Sequence, residues 1–186
     1  MDELRNKIIG AAIEEFSQNG LKFTMDDIAR DLAISKKTIY TVFSDKESLF
    51  YHMVDYSFDK IKEAERAVLS DLTLSTIEKL RRVLTVLPDV YTNIDLSQLY
   101  LLKAKYPKTY MRVEKSLETG WEATIALLNK GMEEGIIKKI DVIVFKTMYE
   151  ATLEQFFQRD ILIDNKISYQ DALKEVVDIL IEGIAR

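Results

Sequence analysis

The chain of 186 residues has no cysteine, two prolines, six glycines and one histidine. Without cysteine there are no disulfides, thiolate zinc sites or thiol nucleophiles. Little proline or glycine leaves few places where a helix must stop. No uninterrupted apolar run exceeds four residues, as in Leu99-Tyr100-Leu101-Leu102 and Val142-Ile143-Val144-Phe145. A bilayer-spanning helix needs roughly 20. The opening Met1-Asp2-Glu3 is acidic where a secretory signal is basic, and no apolar signal core follows. These absences point to a cytoplasmic protein that does not enter membranes. His52 has no Glu-x-x-His pairing, and the chain lacks Gly-x-Ser-x-Gly, a phosphate-cradling glycine loop and a dinucleotide fingerprint. An enzyme is therefore not expected, nor a metal or cofactor.

What is present is 47% apolar and 31% charged residues, the composition of a soluble globular protein. The formal charge of −5 gives no general attraction to nucleic acid, so any such binding needs a local basic surface. Apolar residues recur at three- and four-residue spacing throughout, and alternation of the β type is nowhere sustained. The fold class is all-α with about nine helices. The first helix spans about Asp2 to Gln18 and stops at Asn19-Gly20. Thr24 and Asp27 have the spacing of a capping box that opens a second helix. Ser35 opens a third, with Ile39, Val42 and Phe43 on its apolar face. Ser44 to Glu47 reads as another capping box, starting a fourth helix that runs to about Leu69. Further helices begin near Ser75, Ser97, Pro107, Asp141 and Ser168. The chain divides into a small unit, residues 1–47, and a larger bundle, residues 48–186.

Two short helices joined by a tight turn, the second polar on its outer face, have the form of a helix-turn-helix. In Ser35-Lys36-Lys37-Thr38-Ile39-Tyr40-Thr41-Val42-Phe43, the residues Ile39 and Phe43 must face inward. Lys36, Lys37, Thr38, Tyr40 and Thr41 are left outside, where they can donate to phosphates or meet base edges. Residues 1–50 hold seven basic and nine acidic side chains, yet between Ile34 and Lys46 three lysines meet only Asp45. A solvated helix face is the plainer reading of such lysines, and spacing alone leaves both open.

The stretch TMDDIARDLAISKKTIYTVFSDKESLF, Thr24 to Phe50, resembles the DNA-binding domain of TetR-type repressors. Thr24, Ile28-Ala29, Ser35, Thr38, Ile39-Tyr40, Phe43, Lys46 and Leu49 are all in register. The segment Gly131 to Ile137 followed by Asp141 is similar to the one preceding the family's dimerisation helices. The resemblance implies that Thr24, Tyr40 and Lys46 hold phosphates while Lys36, Lys37, Thr38 and Thr41 face the major groove, with Ser35 capping the helix that carries them. It implies a ligand-responsive regulator, a repressor whose homodimer releases a pseudo-palindromic operator when a small molecule binds. The alternative is a helical interaction or small-molecule-binding module without DNA binding. The chain departs from the family at Ala33, which replaces the usual turn glycine and must avoid a positive φ or carry strain. Lys37 stands where glycine is common, and Thr41-Val42 where His or Tyr often occur.

The helix from Asp141 to about Arg159 and the last helix are apolar on more than one side, which suits a helix with two partners. Phe156, Leu173, Val177, Leu180 and Ile184 are the expected dimer contacts. Tyr100, Tyr110, Trp121, Phe145, Met148 and Tyr149 are the candidate lining of a ligand cavity, with ordinary core packing as the alternative for each.

Overall fold

The computed structural model describes residues 2–87, 98–159 and 161–186, with the backbone alone at residues 2 and 98–100. These form α1 (Asp2–Asn19), a 3-10 turn (Gly20–Lys22), α2 (Met25–Asp31), α3 (Lys36–Tyr40), α4 (Lys46–Ser70), α5 (Thr76–Thr85), α6 (Gln98–Lys105), α7 (Pro107–Glu118), α8 (Glu122–Glu133), α9 (Val142–Gln158), α10 (Ile161–Asp164) and α11 (Tyr169–Ile184). Among the described residues, no helix is long and apolar enough to cross a membrane.

Local chemistry sets the helix starts in the small amino-terminal head. The amide of Asp27 donates to Thr24 Oγ1 at 3.3 Å, and the amide of Thr24 donates to Asp27 Oδ2 at 2.8 Å, so the expected capping box forms. Ser35 Oγ accepts from the Thr38 amide at 3.0 Å and starts α3. The α4 cap falls one residue later than expected. Asp45, not Ser44, accepts from the Ser48 amide at 2.7 Å, because a carboxylate one residue nearer the helix competes better for its positive end. Helix α3 is also shorter than expected, five residues followed by a turn through Thr41 and Val42. Ala33 adopts φ 52, so the turn between α2 and α3 carries the strain of a Cβ in the left-handed region.

The head core gathers Ile8, Phe16, Phe23, Ile28, Ile39, Phe43 and Leu49, and continues into Phe50, Met53, Leu102 and Tyr110. It therefore reaches beyond residue 47, and α4 serves head and bundle alike. A second core joins α5, α8, α9 and α11 through Leu80, Leu128, Phe145, Leu153, Val177 and Ile181. The helix expected from Pro107 onward is broken in two, since Gly120 takes φ +79 between α7 and α8. A Cβ there would push only against the flexible end of Lys62, so it is the positive φ that favours glycine at this break.

Candidate functional site

The outer face of the head is short and polar. Lys37, Tyr40 and Thr41 are exposed, Tyr40 by 45%, while Ile39 and Phe43 anchor the segment in the core. Thr38 is half-buried, and its hydroxyl lies 2.8 Å from that of Ser35. Thr41 Oγ1 donates to the Thr38 carbonyl at 2.6 Å, which fixes the side chain at the end of α3. Lys36 is exposed too, and its ammonium pairs with Asp26 at 2.7 Å. Among the described residues Lys37 has no ion pair. Thr24 stands exposed at the start of α2, its hydroxyl donating to Asp27 at 2.7 Å. One surface thus carries cations, hydroxyls, a phenol and two helix N-termini, the donor types that bind phosphate oxygens.

Lys46 is placed differently from the other cations. Its ammonium donates to the carbonyls of Leu21, at 2.9 Å, and Phe23, and lies 4.0 Å from the centroid of the Phe23 ring. Burial, with Lys105 nearby, pushes its pKa down to about 8. The Lys46 ammonium, which the resemblance assigns to phosphate, thus also ties the segment between α1 and α2 onto α4.

Inside the molecule lies a largely apolar cavity of about 210 Å³. Its lining includes Ile13 and Phe16 of α1, Phe50, Met53, Phe58 and Ile61 of α4, and Trp121, Tyr149, Phe157 and Leu173 of the bundle. Trp121 and Tyr149 meet edge to face, ring centroids 5.4 Å apart. The Tyr149 hydroxyl donates to the Leu84 carbonyl at 2.6 Å, and burial holds its pKa well above the ordinary phenol value. The charged pair of the wall is Lys62 with Glu65, at 2.7 Å, and the same ammonium donates to the Gly120 carbonyl at 2.9 Å.

Of the six residues expected at a cavity, Trp121 and Tyr149 line it. Phe145 and Tyr110 are buried in the two cores and do not line it. Met148 is 54% exposed on the outer side of α9, so it is corrected to a surface position. The side chain of Tyr100 lies outside the described residues. The α4 side chains were missed, although their recurrence at Phe50, Met53, Val54, Phe58 and Ile61 was visible as a helical stripe.

The expected dimer contacts need a similar correction. Leu173 and Val177 are 4% and 0% exposed within their own chain and cannot form an outer face. Phe156, Leu180 and Ile184 are half-buried against the second core. The exposed apolar residues of these helices are Ile143, Val144 and Met148 on α9 and Ile179 on α11, each more than half exposed.

Residues 8–53 match the family model described as bacterial regulatory proteins, tetR family. The amino-terminal head is thus similar to the DNA-binding domain of TetR-family regulators. That domain is a helix-turn-helix of the kind that transcriptional regulators use to bind DNA. Across 178 residues the chain is 26% identical to the HTH-type transcriptional regulator YvaF of Bacillus subtilis (strain 168), covering 96% of this chain and 94% of that one. The fold resembles a TetR transcription regulator from Haloarcula marismortui, with TM-score 0.73, 16% identity and full coverage of both chains. It also resembles the regulator FadR from Bacillus subtilis in complex with stearoyl-CoA, with TM-score 0.64, 20% identity, and coverage of 96% and 98%. The TetR-type fold therefore extends over the bundle as well as the head.

Proposed function

We propose that this chain is a dimeric TetR-type repressor that binds a pseudo-palindromic operator through α3 and lets go when an elongated, largely apolar molecule enters the cavity. One observation carries the reading: the cavity and the DNA-reading head share side chains, since Phe16 and Phe50 belong to the head core and also line the cavity. A volume of about 210 Å³ is smaller than the roughly 300–1,000 Å³ of ordinary ligand pockets. A chain-like ligand must widen it, and the wall that yields includes α4. Helix α4 starts at Lys46, immediately after the recognition segment, so its displacement moves the head. Stearoyl-CoA in the related FadR complex supports a long acyl chain as the ligand class.

Lys37, Thr38, Tyr40 and Thr41 are the proposed operator contacts, with Ser35 and Thr24 holding phosphates beside the amides that they cap. The apolar face of Ile143, Val144, Met148 and Ile179 is the proposed dimer surface. A two-fold pair presents two copies of α3, which suits a palindrome. To release the operator, the ligand must bind the released state more tightly than the operator-bound one. The test selects duplexes from a random pool with the full chain, then adds acyl-CoA of increasing chain length to the complex. The reading requires half-site symmetry in the selected DNA and release that strengthens with chain length. Asymmetric, unselective binding, or no release by any acyl chain, refutes it.

A further inference from the structure

Outside the cavity, a polar chain of contacts crosses from the head to the bundle through the molecule's single histidine. Arg5 of α1 places Nη2 at 2.7 Å from Nδ1 of His52 on α4. The Arg5 guanidinium carbon also lies 5.8 Å from the centroid of the Phe43 ring, and the Phe43 and His52 rings are 5.7 Å apart. Phe43 is the apolar anchor of the recognition segment, 1% exposed. Asp55 Oδ2 lies 3.9 Å from the same Nδ1. Asp55 Oδ1 accepts from Arg112 Nε of α7 at 2.5 Å, and Arg112 lies over the Tyr51 ring. The groups around His52 are therefore Arg5 from α1, Tyr51 and Asp55 from its own helix, the Phe43 ring from the recognition segment, and Arg112 of α7 beyond Asp55.

The geometry fixes the protonation state. A guanidinium carries only N–H donors and no lone pair to give. At 2.7 Å from it, Nδ1 must be the acceptor, so His52 is neutral with its proton on Nε2. A proton on Nδ1 would face the Arg5 donor and its positive charge, and that contact must open. The nearby Asp55 oxygen is the partner then available, on the carboxylate that also holds Arg112. We propose that His52 is a positioning residue for operator binding: neutral, it ties α1 and the recognition segment to α4, and on protonation it releases Arg5 and turns to Asp55. This rests on the head being the operator-binding surface.

The direction of the pH effect follows. Burial and Arg5 hold the His52 pKa below its ordinary value, with Asp55 opposing. The tied head binds fewer protons than the released one, whose imidazole titrates near its ordinary value of about 6.5. The tie is complete above that pH and is lost as the pH falls through the lowered value. Operator affinity should therefore fall in acid, opposite to the general gain in phosphate attraction that added positive charge brings. By linkage, operator binding must also lower the His52 pKa.

Since the chain has one histidine, imidazole nitrogen resonances report on His52 alone. The experiment titrates them in the full-length protein, free and bound to a duplex that it selected from a random pool. It also compares operator affinity with that of His52→Asn, which keeps an acceptor near the Nδ1 position but cannot titrate. The expected result is an Nε2–H tautomer and a pKa that drops on duplex binding. Between about pH 7.5 and 5.5, wild type should lose at least about threefold more affinity than the variant. A proton on Nδ1, a pKa unmoved by duplex, or parallel affinity profiles would overturn the inference while leaving the function standing. If His52→Asn does not fold, the wild-type titration decides alone. Absence of selective duplex binding at every pH would refute the proposed function and this inference with it.

Discussion

In the head, the large side chains are closed in: Phe23, Phe43, Ile28 and Ile39 are each at most 1% exposed and pack around one another. In the bundle, six helices, with α1 and α6 of the head side, stand around a cavity of about 210 Å³. The outer side of α9 and α11 leaves large apolar residues exposed. The same composition thus builds two kinds of interior. A surface that reads DNA needs side chains at fixed positions, and dense packing with capped short helices supplies that. A domain that admits a ligand needs an interior that can be widened and an outer face that can be covered. Helix α4 belongs to both regions, and the proposed function depends on that sharing.

Phe43→Ala is the severest test of the closed head. It empties a fully buried position beneath the recognition segment and should cost about 3–5 kcal/mol in urea unfolding, with loss of operator binding. A cost below about 1 kcal/mol would mean that the head is as yielding as the bundle. Met148→Glu tests the opposite region. It places a carboxylate on the exposed face of α9, so the folded monomer should survive while the dimer separates in sedimentation. A variant that sediments as an unchanged dimer would move the interface to another face.

Two lysines sharpen the contrast between clamp and contact. Lys46→Met leaves the Leu21 and Phe23 carbonyls without their charged donor, so unfolding should show a loss of about 1–3 kcal/mol. Its effect on the salt dependence of operator binding should be small. Lys37→Ala should do the reverse, leaving stability unchanged and making the log–log salt slope shallower by about 1.8, at about 0.9 for each of two subunits. If both variants lowered the slope equally, Lys46 would be a phosphate contact after all. The smallest expected effect is at Ala33, where φ 52 suits glycine. Ala33→Gly should relieve the turn and raise stability by about 0.5–1 kcal/mol, the lost strain outweighing the freer unfolded chain.

Much of the head was legible in the sequence because its signals are local. Thr24 with Asp27, and Ser35, cap their helices by reaching three residues, and spacing alone reveals that. The same local logic misplaced the α4 start, where adjacent Ser44 and Asp45 compete for one role. It also passed over Gly120, whose left-handed backbone interrupts a run with helical periodicity. For α9 and α11, periodicity showed two apolar sides without telling which faces the core. Val177 and Ile179 are two residues apart and both apolar, yet one is 0% and the other 60% exposed. The cavity was least legible, since it arises from the packing of distant segments such as Phe16, Phe50 and Tyr149. Lys46 carried a family expectation of phosphate contact, and only the fold revealed the two carbonyls beneath it.

The shared helix can be examined with one distance. The chain has no native cysteine, so Asp31→Cys, exposed at the end of α2, gives a single spin-label site per subunit that leaves the proposed operator contacts in place. Electron–electron resonance on the dimer would measure the separation of the two recognition helices, which half-sites one turn apart require to be about 34–36 Å. The measurement is made on the operator complex and again with the acyl-CoA that displaces the operator. If the cavity acts through α4, the acyl-CoA should move the distance distribution away from its operator-bound value, and a mixture of both ligands should show two populations. Release of the operator with an unchanged distribution would contradict the account and separate the cavity from the reading head.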